Sequence, residues 1–139
     1  MQNNEYLFGV ETEQNIQCSS VELQIGGIST VFVIDSGATV NILSRDTWEK
    51  LKQSKVKVKT QNKKASKKLY AYGSKKPLTL LGSFTTDVEL YIESTSKKIV
   101  AEFFVLEEKG KSLLSRNTAI GLGVLRLGPV EPDTIRWKT

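Results

Sequence analysis

Short segments with the residue pattern of a β-strand, each ended by a turn signal, follow one another along most of this sequence. Residues 21–25 alternate between apolar and polar types, and Gly26-Gly27 after them is a typical hairpin turn. Residues 28–34 are rich in β-branched and aromatic types, which favour a strand with a buried face. The pattern predicts an all-β barrel or sandwich of about eight short strands.

Two short helices interrupt the predicted strands. Residues 44–51 follow an apolar segment and begin with Ser44, a residue type favoured at the N-cap of a helix. Residues 117–122 begin in the same way with Asn117. The remaining strands are predicted at residues 69–72, 78–81, 83–94, 98–106 and 134–137, with another apolar stretch from 125 to 127.

The chain of 139 residues is long enough for one domain with a buried core. Residues 1–14 are predicted to be an N-terminal arm or an interface strand, and residues 15–139 to be the folded domain. No apolar run approaches the roughly 18 residues of a membrane-spanning helix, and residues 1–14 lack the pattern of a signal peptide. Contact with a membrane is therefore not expected.

The complete absence of histidine excludes several classes of enzyme chemistry. Neither a Ser-His-Asp nor a Cys-His catalytic group can form, and neither can a zinc site built on histidine. The single cysteine, Cys18, allows no intrachain disulfide, which favours a reducing compartment. Acid–base chemistry has to come from Asp, Glu, Lys, Tyr or Cys, and no metal or cofactor is expected.

Positive charge is concentrated in one part of the chain. Residues 50–86 contain eleven lysines and no acidic residue, although the whole chain has a net charge of only +5. The lysine-rich segment at 50–68 contains no arginine, and no aromatic residue follows it before Tyr70, whereas nucleic-acid sites usually mix these types with lysine. We interpret the segment as a solvated loop or exposed hairpin, with a nucleic-acid contact as the alternative.

The clearest candidate for a reactive site is the end of the predicted strand at residues 28–34. This apolar strand leads directly into Asp35, and Ser36, Gly37, Ala38 and Thr39 follow. A carboxylate set among apolar residues is costly unless its surroundings compensate, so it is a candidate functional group. Asp-Ser-Gly is also ordinary turn chemistry. The tripeptide alone leaves a structural turn and a catalytic turn open.

Several segments, arranged along the chain in the family's order, resemble the retropepsins, the aspartic proteases of retroviruses and retrotransposons. Residues 35–38 resemble the signature Asp-Ser/Thr-Gly-Ala, and residues 112–117 resemble the segment of two apolar residues and Gly-Arg-Asn before the retropepsin helix. Residues 69–82 are similar to the flap region of gypsy-type LTR retrotransposon proteases, and residues 122–128 also resemble that group. The resemblance covers about residues 6–128. Two positions depart from it, because Ser115 replaces a glycine and Thr39 replaces a common aspartate.

The resemblance implies a closed acid-protease barrel with one or two short helices, forming one protomer of a two-fold dimer. Since the chain has only one Asp-Ser-Gly, each protomer would supply one catalytic Asp35. Ser36, Gly37 and Ala38 would support the active-site turn. Tyr72, Gly73 and Ser74 would form the flap, Thr39 would help to bind substrate, and Arg116 and Asn117 would be structural.

The expected activity is hydrolysis of peptide bonds in a retroelement polyprotein, in the cytoplasm or inside a virus-like particle. One alternative is a domesticated or cellular retropepsin-like domain with another substrate. A second is a retropepsin-like fold that serves as a non-catalytic binding module. A third is a nucleic-acid-binding β-barrel that uses the lysine-rich segment.

Overall fold

The computed structural model describes residues 19–64, 67–71 and 73–125, together with the backbone of residues 5–7. Cys18, Tyr72 and the predicted segments beyond residue 125 lie outside the described residues. The strands are β1 Glu5–Leu7, β2 Ser20–Ile25, β3 Ile28–Ile34, β4 Asn41–Leu43, β5 Thr60–Asn62, β6 Leu69–Ala71, β7 Leu80–Ile92, β8 Thr95–Leu106 and β9 Leu113–Leu114. The helices are α1 Arg45–Gln53 and α2 Arg116–Leu122.

One sheet closes on itself to form a barrel. Its strands follow the order β2-β3-β9-β4-β8-β7-β5, and a further pairing between β2 and β7 joins the two ends of the first six strands. In that closure Gln24 lies opposite Glu89 and Ile25 lies opposite Val88. The predicted all-β barrel with two short helices is therefore confirmed for the part of the chain that the structure describes.

Aromatic side chains fill the centre of the barrel. The Phe84 ring stacks on Trp48 of α1 with a centroid distance of 4.8 Å and on Phe103 with a distance of 5.5 Å. Phe103 also contacts Phe32 at 5.6 Å. Burial of each such side chain contributes roughly 1.5–3 kcal/mol to folding. The core therefore ties β3, β7, β8 and α1 together.

The long hairpin of β7 and β8 corrects one sequence prediction. The segments predicted at residues 78–81 and 83–94 are mostly one continuous strand, with an irregularity in its pairing to β8 between Leu80 and Gly82. Gly82 has a φ of +144° and lies against the backbone of β5. Gly82, which interrupts the apolar pattern of the sequence, therefore lies at a β-bulge within one strand and not in a loop between two strands.

The two helices begin at serine residues. Ser44 is the N-cap of α1, as predicted, although its hydroxyl donates to Thr47 Oγ1 and makes no capping bond. Ser115 is the N-cap of α2, and its hydroxyl accepts the Thr118 N–H. The predicted cap Asn117 is wrong, because the helix already includes Arg116 and Asn117. Neither helix, nor any other in the described ranges, combines the length and the apolar character needed to span a bilayer.

The lysine-rich segment is only partly the solvated loop that the sequence predicted. Val56 and Val58 are half-buried against the core, and Thr60–Asn62 forms the edge strand β5 against β7. Every lysine between residues 50 and 76 is exposed. The segment therefore anchors itself by two valines and a strand while its lysines face solvent.

Replacement of Gly82 by alanine should destabilise the protein more than the same change at Gly110. The two glycines have similar φ angles, +144° and +139°, so both variants place an alanine at a φ that L residues rarely adopt. Only at Gly82 would the added methyl group overlap the carbonyl oxygen of Asn62, whereas the space around Gly110 is open. We expect the free energy of unfolding, measured in urea, to fall by roughly 1–3 kcal/mol more in Gly82→Ala than in Gly110→Ala. Equal losses would contradict close packing of β5 on β7.

Candidate active site

Asp35 stands at the point where two distant parts of the chain meet. It directly follows β3, which runs parallel to β9 with Val33 opposite Leu113 and Ile34 opposite Leu114. The Asp35 N–H donates to the Leu114 carbonyl oxygen at 3.0 Å. The residue is only 8% exposed. The strand pairing therefore fixes the backbone of a carboxylate that is largely withdrawn from water.

The turn after Asp35 is organised by the aspartate itself. The Gly37 N–H donates to Asp35 Oδ1 at 3.0 Å, and the Ala38 N–H donates to the Asp35 carbonyl oxygen at 3.0 Å. Gly37 does not have a positive φ, so its contribution here is the amide donor and not an unusual backbone shape. Ser36 is exposed, and Ala38 is buried. The turn thus orients one carboxylate oxygen and leaves the Ser36 hydroxyl on the surface.

A second set of hydrogen bonds holds the start of α2 beside this turn. The Arg116 N–H donates to the Ala38 carbonyl oxygen at 3.0 Å, and the Ser115 N–H donates to Asn41 Oδ1 at 2.8 Å. Ser115 has φ −71° and ψ 161°, an extended conformation that any residue adopts. Serine is therefore accommodated at this position, and its hydroxyl caps the helix.

Asn41 is a positioning residue that the sequence did not reveal. Its side chain is buried, and its amide nitrogen donates to the Glu102 carbonyl oxygen at 2.9 Å and to Thr118 Oγ1 at 3.0 Å. Together with the bond from Ser115, one side chain joins β4, β8 and α2. The only signal in the sequence is a polar residue inside an apolar segment, and such a residue needs partners if it is buried.

The predicted structural residues Arg116 and Asn117 both have exposed side chains in the described structure. Arg116 contributes through its backbone N–H to the active-site turn. Thr39, predicted to bind substrate, is exposed and directly follows the buried Ala38. The side chain of Thr39 therefore lies on the surface next to the turn that carries Asp35.

An apolar cluster adjoins the active-site turn and is separate from the main core. It connects the turn, β4 and β9 with the hairpin that starts at β6, and half-buried side chains surround it. Its buried members are Ala38, Val40, Ile42, Leu69, Phe104 and Leu113. Its half-buried members are Val33, Leu78, Leu80 and Leu106. An apolar cluster therefore adjoins the Asp35 turn and extends from it to the hairpin.

The hairpin predicted as a flap is present between residues 69 and 78. Tyr70 pairs with Pro77 in an antiparallel bridge, and the Leu78 N–H donates to the Leu69 carbonyl oxygen at 2.7 Å. Gly73, with a φ of +82°, and the half-buried Ser74 belong to its turn, while Tyr72 lies outside the described residues. Leu69 is fully buried in the apolar cluster beside Ala38. The structure thus brings the base of the predicted flap and the Asp35 turn to one site.

Within the described ranges, no group of three or more acidic or cysteine side chains is arranged to hold a metal ion.

Replacement of Asn41 by alanine should destabilise the site. Loss of the side chain leaves the buried Ser115 N–H and the Glu102 carbonyl oxygen without these bonds, which costs roughly 1–3 kcal/mol. The matched control is Asn117→Ala, because Asn117 is exposed on the neighbouring helix. Urea unfolding of the two variants measures the difference. If Asn41→Ala were as stable as Asn117→Ala, the positioning role of Asn41 would be wrong.

Comparisons with known proteins found similar solved structures but no match by sequence. No family model and no curated protein matches this chain. The EIAV protease complexed with the inhibitor HBY-793 is similar in structure, with a TM-score of 0.55 and 16% identity over 84% of this chain and 98% of that protein. A retropepsin-like aspartic protease from Rickettsia conorii gives a TM-score of 0.40 and 17% identity over 69% of this chain and 63% of that protein. The structural similarity to the EIAV protease shows that the chain has a retropepsin fold.

Proposed function

We propose that the chain is an aspartic endopeptidase in which two copies each contribute one Asp35. The observation that carries this proposal is the position of Asp35, buried in an Asp-Ser-Gly turn at the junction of β3 and β9 in a retropepsin fold. A buried carboxylate whose Oδ1 accepts a backbone N–H is oriented in advance for work on a bound water or a carbonyl group.

We infer that the second carboxylate comes from another copy of the chain. Among the described aspartates, Asp46 is exposed on α1, and Asp87 forms an ion pair with Lys59 at 3.7 Å on the barrel surface. Neither follows a buried strand as Asp35 does. A homodimer with a two-fold axis beside the Asp35 turn would place two equivalent carboxylates together.

Two carboxylates held about 3 Å apart share one proton, because both cannot ionise easily. The ionised carboxylate takes a proton from water as the water oxygen attacks the scissile carbonyl carbon. The protonated carboxyl donates its proton to the carbonyl oxygen, which gives a tetrahedral intermediate. When the C–N bond breaks, a proton returns to the leaving nitrogen. The pair titrates as a unit, and activity should favour mildly acidic pH.

The proposed substrate is an extended peptide bound in β fashion between the active-site turn and the flap. The half-buried members of the apolar cluster, among them Val33, Leu78 and Leu80, would suit apolar side chains on either side of the cut bond. Tyr72, Gly73 and Ser74 would close over the peptide, and Thr39 would contact its backbone. A polyprotein of a gypsy-type retroelement is the proposed natural substrate, with a cellular substrate as the alternative.

A nucleic-acid partner is a second candidate role, separate from catalysis. It is favoured by one observation, that every described lysine from Lys50 to Lys76 is exposed. Phosphate contacts would make the affinity for single-stranded DNA fall as the salt concentration rises. Alanine at Lys63 and Lys64 should therefore make the logarithm of the binding constant depend less steeply on the logarithm of the salt concentration. An unchanged slope in filter binding would rule this role out.

Asp35→Asn should abolish cleavage of a mixed peptide library between pH 4 and pH 7. The reason is that the amide can neither accept the proton of the water nor share one with its partner. Asp87→Asn is the matched control, because it makes the same chemical change at the barrel surface and should cleave normally. Mass spectrometry of the products gives the cut sites. Equal cleavage by Asp35→Asn would contradict the proposal, as would absence of cleavage by the unsubstituted protein at every concentration.

A further inference from the structure

The first strand of the flap hairpin, β6, has both of its hydrogen-bonding edges occupied. On one edge Tyr70 bridges Pro77, and Leu78 donates to Leu69 within the hairpin. On the other edge β1 runs parallel to β6. A strand has only two such edges, so no third strand can pair with β6 while β1 remains in place.

The pairing of β1 with β6 is regular but stands apart from the barrel. Glu5 lies opposite Leu69, Tyr6 opposite Tyr70 and Leu7 opposite Ala71. The two strands form a sheet of their own, whereas the other seven described strands form the barrel sheet. Loss of the β1 pairing would therefore leave every barrel pairing intact.

We propose that β1 is a displaceable latch that occupies the edge of the flap strand where an extended substrate pairs. The inference rests on the proposed peptidase function, and it adds a regulatory device to the same site. The N-terminal segment and the substrate peptide compete for the edge of β6 that β1 occupies. Because Tyr6 and Leu7 are sizeable apolar residues, the segment belongs to the same chemical class as the proposed substrate.

The strength of such a latch has to be modest. A two-stranded sheet with three residue pairs is marginal by itself. The strand nevertheless belongs to the same chain as the barrel, so its pairing with β6 is intramolecular and does not depend on protein concentration. The latch thus raises the apparent KM by the inverse of the fraction of molecules in which β6 is open.

Proline substitution in β1 provides the test in the full chain. Proline removes the N–H donor of the residue it replaces. In a parallel strand only every second residue bonds to a given neighbour, so the N–H of either Tyr6 or Leu7 faces β6. Tyr6→Pro and Leu7→Pro are therefore both made. The control is Thr12→Pro, in the same arm but outside β1. Peptide cleavage is measured where specific activity no longer rises with protein concentration, so that dimer formation does not limit it.

We expect one of the two β1 variants to lower KM by about two- to tenfold with little change in kcat. The same variant should speed hydrogen exchange of the amides of Leu69–Ala71, and Thr12→Pro should change neither quantity. Unchanged KM and unchanged exchange in both β1 variants would overturn the proposal, and so would a rise in KM. If the unsubstituted protein cleaved no peptide, faster exchange in a β1 variant would still establish the pairing, and the peptidase function alone would have failed.

Discussion

The parallel pairing of β3 with β9 is the interaction on which the rest of the site depends. It brings residues 33–34 and 113–114, which lie far apart in sequence, into register beside Asp35. Leu113 also pairs with Ile42 of β4, so β9 is held between the strands on either side of the active-site turn. Without this short strand, Asp35 would stand at the end of a hairpin without the hydrogen bond from its N–H to Leu114.

Buried polar groups complete the arrangement at this junction. Asn41 and Ser115 are both buried, and their mutual hydrogen bond connects β4 to the first turn of α2. Ser112 accepts the Ser44 N–H at 3.0 Å just before β9, which connects the same region to α1. Satisfied polar groups in a low-dielectric interior fix one geometry more firmly than apolar contacts do. The site therefore combines an apolar cluster beside the Asp35 turn with a frame of polar hydrogen bonds that holds the turn.

The barrel and the Asp35 turn could be predicted because their signals are local. A period of two, turn residues at Gly26-Gly27 and an apolar strand ending in Asp35 can all be read within a few residues. Asn41 could not be assigned a role, because its partners Glu102, Ser115 and Thr118 lie more than sixty residues away. The same reason applies to the pairing of β1 with β6. Strand β5 was hidden by its lysine-rich surroundings, which resemble a loop although Val56 and Val58 pack on the core.

The central claim is that one active site needs the carboxylates of two chains. The most direct measurement mixes unsubstituted protein with Asp35→Asn protein at constant total concentration, lets the subunits exchange, and follows peptide cleavage. If both carboxylates are required, activity falls with the square of the unsubstituted fraction, to about one quarter at an equal mixture. A linear fall, to about one half, would mean that each chain acts independently, and a value of about three quarters would mean that a single Asp35 suffices in a dimer; either result would contradict the account.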